Sequence, residues 1–214
     1  MALPLVIAYH LVWTGYGWWL PNDPRGSTSH TIRCDVISDL GTLHHGRKRI
    51  QPASREVRGF LGKSEAALQF PRLTFDAPDV EQIALAFAQT IEDERYTCYA
   101  CAIMPDHVHM LIRKHKHQAE EMIQNLQRES HLQLRESGRI DLEHPVWGGP
   151  GWKVFLDSPE EIRRTIKYVE ENPVKIGQSR QIWGFVKEYD GWPLHEGHDP
   201  NSPYARRMRR KHDS

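Results

Sequence analysis

Short apolar stretches alternate with longer amphipathic ones along the chain, and this pattern predicts the order of its elements. An apolar run at residues 3–13 predicts a strand near the centre of a sheet. Residues 95–104 and 107–113 predict two strands joined by a tight turn, and therefore a hairpin. Residues 152–156 predict a fourth strand.

Helical periodicity marks three further segments. Residues 79–94 carry apolar side chains at helical spacing and begin with acidic residues, as an amphipathic helix does. Residues 118–137 predict a second helix with the same type of stripe. A third helix is expected to begin at Ser158, a capping residue followed by proline and acids, and to end near Asn172 because Pro173 cannot continue it.

The resulting order is strand, helix, hairpin, helix, strand, helix, with a long insertion after the first strand. This order predicts an α+β fold of the ferredoxin-like (RRM-like) type, an antiparallel sheet with helices on one face and the other face free for a site. Within the insertion, residues 27–75, we expect one short helix at residues 63–70 that starts at Ser64. Residues 183–189 predict either an edge strand or a packed aromatic extension.

Length and composition restrict the class of protein. A chain of 214 residues is most simply one domain. No apolar run is long enough to span a bilayer, and the N-terminal apolar stretch lacks the features of a signal peptide, so we expect a cytoplasmic protein. The 3 cysteines are an odd number, which argues against a disulfide framework and for a reducing compartment.

Positive charge is unevenly distributed, although Lys plus Arg and Asp plus Glu both number 28. One basic cluster lies in the insertion and another in the C-terminal tail. Such clusters suit contact with a phosphate backbone, which gains free energy from counterion release, although a charge run is more often a solvated surface. The basic candidates for this contact are Arg47, Lys48, Arg49, Arg206, Arg207, Arg209 and Arg210.

Two histidines of the hairpin are the main chemical candidates. Strand periodicity places His107 and His109 on one face and Val108, Met110 and Ile112 on the other. Two neutral imidazoles side by side provide most of a metal site. The histidines alone predict an ordinary polar strand face equally well.

Tyr168 and Asn172 form a second candidate pair on the third predicted helix. Because they lie four positions apart, they project from the same face, roughly 5–6 Å from each other. An isolated helical tyrosine is more often a half-buried aromatic with its hydroxyl at the surface. Tyr168 and Asn172 indicate a functional site only in combination with the two histidines.

In combination, these motifs resemble those of a known family. Residues 104–112, Met-Pro-Asp-His-Val-His-Met-Leu-Ile, resemble the HUH signature (histidine, hydrophobic, histidine) of the single-tyrosine transposases. Residues 168–177, which begin Tyr-Val-Glu-Glu-Asn-Pro-Val, resemble the nucleophile helix of the REP-associated branch. Residues 152–161 and 9–14 fit the family's pattern in kind and order. The resemblance implies a transposase domain at residues 1–177, which includes the basic insertion, and a C-terminal extension at 178–214.

The resemblance also implies a role for each candidate. His107 and His109 would bind Mg²⁺ or Mn²⁺, with Asn172 as the third ligand and Glu171 as the alternative. Tyr168 would be the nucleophile, giving a 5′-phosphotyrosine intermediate and a free 3′-hydroxyl. The enzyme would thereby cleave and rejoin single-stranded or hairpin DNA during DNA transposition.

The resemblance therefore implies single-stranded or hairpin DNA as the partner. We expect the protein to be associated with the nucleoid, as a monomer or a homodimer. Trp18 and Trp19 are candidates for stacking on unpaired bases, although large apolar residues mostly serve packing. Lys167, on the predicted third helix, and Lys175, just beyond its expected end, are further candidates for DNA contact.

Two alternative functions remain open. A zinc site could use Cys98, Cys101, His107 and His109, but residues three apart on a strand face opposite sides, so the cysteines cannot easily converge with both histidines. The chain could also be a non-catalytic nucleic-acid-binding module on the same fold. In that case Tyr168→Phe would behave like the parent in every assay.

Overall fold

The computed structural model describes residues 5–27, 37, 39–46, 50–193, 201–203 and 205–206. The elements of this part of the chain are, in order, β1 (Ala8–Thr14), α1 (Ser54–Ala67), α2 (Ala77–Asp93), β2 (Cys98–Ile103), β3 (His107–Arg113), α3 (Ala119–Glu136), β4 (Trp152–Leu156) and α4 (Pro159–Lys175). Among the described residues, no helix is long and apolar enough to cross a membrane.

The four strands form one antiparallel sheet in the order β2-β3-β1-β4. With α2 between β1 and β2 and α3 between β3 and β4, this is the ferredoxin-like arrangement, and the predicted fold class is confirmed. The central pair, β1 and β3, is in a register that sets Val12 opposite His109 and Thr14 opposite His107.

One face of the sheet packs against α2 and α3. Leu11 and Trp13 of β1 and Met110 of β3 are buried there with Phe87 of α2 and Leu126 of α3. The indole of Trp13 meets the ring of Phe87 edge-on, with centroids 5.7 Å apart. Each such apolar side chain contributes about 1.5–3 kcal/mol when buried, so this layer is the main core of the protein.

The opposite face is partly covered by α4, which corrects the prediction that all helices lie on one face. Ile162 and Val169 of α4 are buried against Ala100 of β2 and Leu111 of β3. Leu111 and the residues of β2 beside it therefore form a second apolar patch on this face, and the amphipathic α4 covers it. Its principal contacts are with β2 and β3, so the half of this face formed by β1 and β4 stays open.

The end of α4 lies beyond the predicted position. The helix continues through Pro173, which sits in the last turn, where its missing N–H removes a single backbone hydrogen bond. It ends before Gly177, whose φ of 79° is left-handed, and the backbone N–H of Gln178 donates to the Pro173 carbonyl at 3.0 Å.

The helix within the insertion starts earlier than predicted, at Ser54. Ser64 is not its first residue but a buried side chain within it, and the Ser64 hydroxyl donates to the Leu61 carbonyl at 3.0 Å. The guanidinium of Arg72 donates to both of these groups, to the Ser64 hydroxyl at 2.8 Å and the Leu61 carbonyl at 2.9 Å. Arg72 thus fixes α1 to the chain that leads into α2.

Residues 183–189 form the aromatic extension, not an edge strand. The rings of Trp183 and Phe185 stack with centroids 6.1 Å apart and pack against the main core. A single bridge joins Val186 to Cys98, and the Lys187 N–H donates to the Cys98 carbonyl at 2.8 Å. The extension is therefore attached to the outer edge of β2.

Candidate active site

His107 and His109 lie on the sheet face that α4 only partly covers. Val108, Met110 and Ile112 are buried in the main core on the other face, as the strand pattern predicts. His109 is 6% exposed, and its Nε2 lies 3.0 Å from Nε2 of His107. Two ring nitrogens therefore meet at one point above β3.

The outer nitrogen of each histidine has a partner. Nδ1 of His107 donates to Oδ1 of Asp106 at 2.6 Å, and Nδ1 of His109 lies 3.0 Å from Nε2 of His10 on β1. Burial lowers the pKa of His10 to about 4. Burial also holds the pKa of His109 well below its usual value, and the charges of His107, His10 and Lys175 add to this shift. The rings of His10 and His109 are thus neutral at pH 7, and a neutral imidazole is the form that binds metals.

Tyr168 lies beside the histidines on α4 and is 39% exposed. The edge of its ring faces His109 at a centroid distance of 5.5 Å and His10 at 6.0 Å. The ammonium of Lys175 lies 4.4 Å from the centre of the phenol ring. The structure therefore brings the predicted tyrosine to the predicted histidine pair.

Asn172 lies one turn beyond Tyr168 and is buried, with 8% exposed. Its Oδ1 accepts a hydrogen bond from Nζ of Lys175 at 3.5 Å, and its Nδ2 has no hydrogen-bond partner among the described residues. Glu171 instead forms an ion pair with Lys167 at 3.9 Å on the outside of the helix. Of the two alternatives for a third ligand, Asn172 is the buried one, and its Oδ1, the atom able to bind a cation, is held only by the 3.5 Å hydrogen bond from Lys175.

The donor set fits a divalent cation. Two neighbouring ligands of an octahedral ion bound at 2.0–2.1 Å lie roughly 3 Å apart, which is the separation of the His107 and His109 Nε2 atoms. Among the described residues, no group of three His, Cys, Asp or Glu side chains is arranged to hold a metal. A third protein ligand from the described residues would be of another type, and the amide of Asn172 is such a donor.

A pocket of about 410 Å³ opens beside this cluster on the uncovered half of the sheet. Gly148 and Gly151 form one wall because their backbone touches β1. A Cβ at Gly148 would lie 2.8 Å from Oγ1 of Thr14, and one at Gly151 would lie 2.9 Å from the carbonyl of Val12. The other lining residues include His10, Trp19, His107, His109, Trp152, Val154 and Tyr168.

The two tryptophans predicted to stack on bases have different environments. Trp19 lines the pocket, with the guanidinium of Arg25 4.0 Å from its ring centre. Trp18 donates its Nε1–H to the Leu73 carbonyl at 2.6 Å and carries Arg72 over its ring. Trp18 is therefore held by contacts within the chain, whereas Trp19 lies in the wall of the pocket, and the DNA contact of both stays a prediction.

The basic candidates are only partly within the described residues. Lys175 belongs to the cluster itself, whereas Lys167 is exposed and paired with Glu171. Arg206 is exposed. The other basic candidates lie outside the described residues, and these are Arg47, Lys48, Arg49, Arg207, Arg209 and Arg210.

The cysteines do not belong to this site, so the zinc alternative is wrong. Cys98 and Cys101 both lie in the main core, on the face opposite the histidines. They share that face because the pairing of β2 shifts register between Cys98 and Ala100, which the spacing argument did not anticipate. Burial raises the pKa of Cys98 to about 12 and that of Cys101 well above its usual value, so both remain thiols.

Cys98→Ala and Cys101→Ala are accordingly expected to leave Mn²⁺ binding unchanged. Each removes one buried sulfur and should lower the free energy of unfolding by about 1 kcal/mol. Mn²⁺ titration followed by electron paramagnetic resonance, together with thermal unfolding, measures both quantities. Loss of metal binding in either variant would restore the zinc site.

Sequence reasoning missed His10, Asp106 and Trp152 as members of the site. Asp106 and Trp152 lie in segments that resemble the family's pattern, but the resemblance predicts no role for either. His10 occupies the same sheet face as His107 and His109. This shared face follows from the pairing of β1 with β3, and the two strands lie far apart in the sequence. The polar residue within an otherwise apolar strand was the available signal.

Part of the chain is similar to a known protein family. Residues 72–172, just under half of the chain, match the family described as "Transposase IS200 like". No curated protein matches. One similar solved structure is a REP-associated tyrosine transposase bound to a REP hairpin, with a TM-score of 0.42, 12% identity, and coverage of 90% of this chain and 78% of that chain. Another is a candidate transposase from Deinococcus radiodurans R1, with a TM-score of 0.35, 12% identity, and coverage of 84% and 96%. The resemblance predicted from the motifs is thus confirmed for the segment that carries the histidine pair, Tyr168 and Asn172, which is similar to the IS200-like transposases.

Proposed function

We propose that this transposase cleaves and rejoins single-stranded hairpin DNA through a 5′-phosphotyrosine at Tyr168. The observation that carries the proposal is the position of the Tyr168 ring, 5.5 Å from the ring of His109, whose Nε2 lies 3.0 Å from that of His107. A nucleophile and two metal-binding nitrogens on one open sheet face match the requirements of phosphodiester transfer.

The proposed cation is Mg²⁺ or Mn²⁺, held by His107, His109 and Asn172. When bound, it supplies Lewis-acid stabilisation of charge on the scissile phosphate. Asp106 holds the ring of His107 through the 2.6 Å hydrogen bond and so keeps its Nε2 directed at the site. Glu171 is not proposed as a ligand because it faces Lys167.

In the proposed reaction, Oη of Tyr168 attacks the phosphorus, and the bond from phosphorus to the 3′-oxygen breaks. The phenol proton passes to solvent, and the leaving oxygen takes up a proton to become a free 3′-hydroxyl. The ammonium of Lys175, 4.4 Å from the ring centre, holds the phenol ring through a cation–π contact. Because the phosphotyrosine bond retains the energy of the broken bond, a 3′-hydroxyl can reverse the step without ATP.

Incubation of the full chain with end-labelled hairpin DNA and Mn²⁺ tests the proposal. We expect a protein–DNA adduct that survives denaturation and carries the label of the fragment on the 3′ side of the cut, because Tyr168 would be joined to the 5′-phosphate of that fragment. Addition of a chelator should prevent its formation. Binding without any adduct or cleavage would support a non-catalytic nucleic-acid-binding module instead.

Trp152 is proposed to contact the DNA within the pocket. It lies on the open face of β4, is 42% exposed, and lines the same pocket as Trp19 and Tyr168. An unpaired base stacked on an aromatic ring contributes about 1–3 kcal/mol, so Trp152→Ala should weaken the binding of single-stranded DNA by about 5- to 150-fold. Fluorescence anisotropy with a labelled oligonucleotide measures the affinity.

Phe155→Ala is the matched control for Trp152→Ala. Phe155 is on the same strand and is 54% exposed, but it faces the ring of Tyr9 on the other side of the sheet. The Phe155→Ala variant should bind DNA like the parent protein. Trp152→Phe should retain most of the affinity because it keeps an aromatic ring. Parental affinity of Trp152→Ala would remove Trp152 from the interface.

A further inference from the structure

A continuous row of polar contacts crosses the sheet at the histidine pair. Oδ1 of Asp106 lies 2.6 Å from Nδ1 of His107, the two Nε2 atoms of His107 and His109 lie 3.0 Å apart, and Nδ1 of His109 lies 3.0 Å from Nε2 of His10. Each contact needs one proton to become a hydrogen bond. The row therefore has a definite proton arrangement, and His10 is at one end of it.

With no cation between the rings, three neutral imidazoles satisfy the row in one direction. Nδ1–H of His107 donates to Asp106, so Nε2 of His107 accepts. Nε2–H of His109 donates to that nitrogen, and Nδ1 of His109 then accepts from Nε2–H of His10. No proton is missing and none is in excess.

Metal binding by both Nε2 atoms changes this arrangement, because a nitrogen that binds a metal carries no proton. His107 is unaffected, since its proton is already on Nδ1. His109 must move its proton from Nε2 to Nδ1, where the nearest acceptor is Nε2 of His10, 3.0 Å away. The hydrogen bond between His10 and His109 therefore reverses, and His10 must be able to donate in one state and accept in the other.

We propose that His10 is a positioning residue that holds the ring of His109 and selects its tautomer, so that Nε2 of His109 is free for the metal. His10 suits this role because it is fixed independently of the cation. Its strand pairs with both β3 and β4, and its ring stacks on that of His109 at a centroid distance of 5.1 Å and an interplanar angle of 26°. The inference rests on the metal site of the proposed function and adds His10 to it.

Two variants separate hydrogen bonding from packing. His10→Phe keeps an aromatic ring against His109 and Tyr168 but can neither donate nor accept. His10→Gln loses the ring, but its amide can do both near the position of Nε2. Loss of a group that supports a ligating histidine typically weakens metal binding by about 10- to 100-fold. We expect this loss in His10→Phe and restored affinity in His10→Gln.

The measurement is Mn²⁺ affinity of the full chain, determined by electron paramagnetic resonance with and without a single-stranded oligonucleotide. Val154→Ala is the matched control, because Val154 on β4 is the strand partner of His10, but its side chain has no polar atom and is not part of the row. Circular dichroism and thermal unfolding show whether each variant is folded.

Histidine ¹⁵N spectra provide a second readout that activity does not influence. On addition of Mg²⁺ to the parent, Nδ1 of His109 should change from the unprotonated to the protonated form, and this change should be lost in His10→Phe. Parental Mn²⁺ affinity in His10→Phe, or a His109 tautomer that does not respond to Mg²⁺ in a parent that binds it, overturns the assignment of His10 alone. A parent that binds no divalent cation under either condition overturns both this inference and the proposed metal site.

Discussion

Tyr168→Phe is expected to abolish the covalent protein–DNA adduct while leaving the binding of hairpin DNA unchanged. The substitution removes only the phenol oxygen, and the ring keeps its contacts with His109 at 5.5 Å and with Lys175 at 4.4 Å. Without the nucleophile, cleavage should fall by on the order of 10⁴-fold or more, to the detection limit. Denaturing gels of labelled DNA measure the adduct, and anisotropy measures binding.

Tyr189→Phe is the matched control for this experiment. Its hydroxyl donates to the carbonyl of Trp192, its ring packs against Tyr99, and burial raises its pKa to about 12. We therefore expect a parental amount of adduct. An adduct that persists in Tyr168→Phe would place the nucleophile elsewhere, with Tyr189 the first to examine, whereas parental behaviour in every assay would indicate a non-catalytic module.

His107→Ala and His109→Ala are expected to lose cleavage at a fixed concentration of Mg²⁺ or Mn²⁺. Because Lewis-acid stabilisation contributes several kcal/mol, the rate should fall by roughly 10²- to 10⁴-fold. DNA affinity should change far less, since phosphate and sugar contacts dominate it. Single-turnover cleavage across a Mn²⁺ titration measures the effect. His107→Ala is the cleaner variant, because His109 is 6% exposed and its removal leaves a buried cavity.

His131→Ala provides the control for loss of a histidine. His131 lies on α3, on the far side of the sheet from the histidine pair, so its removal should leave the Mn²⁺ dependence of cleavage unchanged. If His107→Ala cleaved at the parental rate throughout the titration, the histidines would have no role in metal binding.

Local periodicity explains what the sequence could predict about the fold. The bounds of β3 and β4 agree with the prediction because turn-forming residues flank both strands. The first strand begins only at Ala8, although the apolar run starts at residue 3. The amphipathic stripe of α4 was also evident, but a stripe does not specify which sheet face it covers. That choice depends on the apolar patch formed jointly by β2 and β3.

In the site, too, local periodicity predicts some features, whereas others depend on contacts between distant parts of the chain. The shared face of His107 and His109 follows from the two-residue repeat of a strand, and that of Tyr168 and Asn172 follows from the helical repeat. His10 could not be placed because its partner is 99 residues away, and their contact depends on strand register. The orientation of the cysteines depends on a local shift in pairing that spacing does not reveal.

The placement of α4 also bears on the stoichiometry of the proposed reaction. Ile162 and Val169 fix this helix to the sheet of its own chain, and Tyr168 reaches the histidines of that same chain. Under the proposed function, one polypeptide supplies the nucleophile and both imidazoles for one scission, in the arrangement that this chain adopts. Excision of an element needs two cuts. The second must then come from another copy of the chain or from a further turnover after Tyr168 is released.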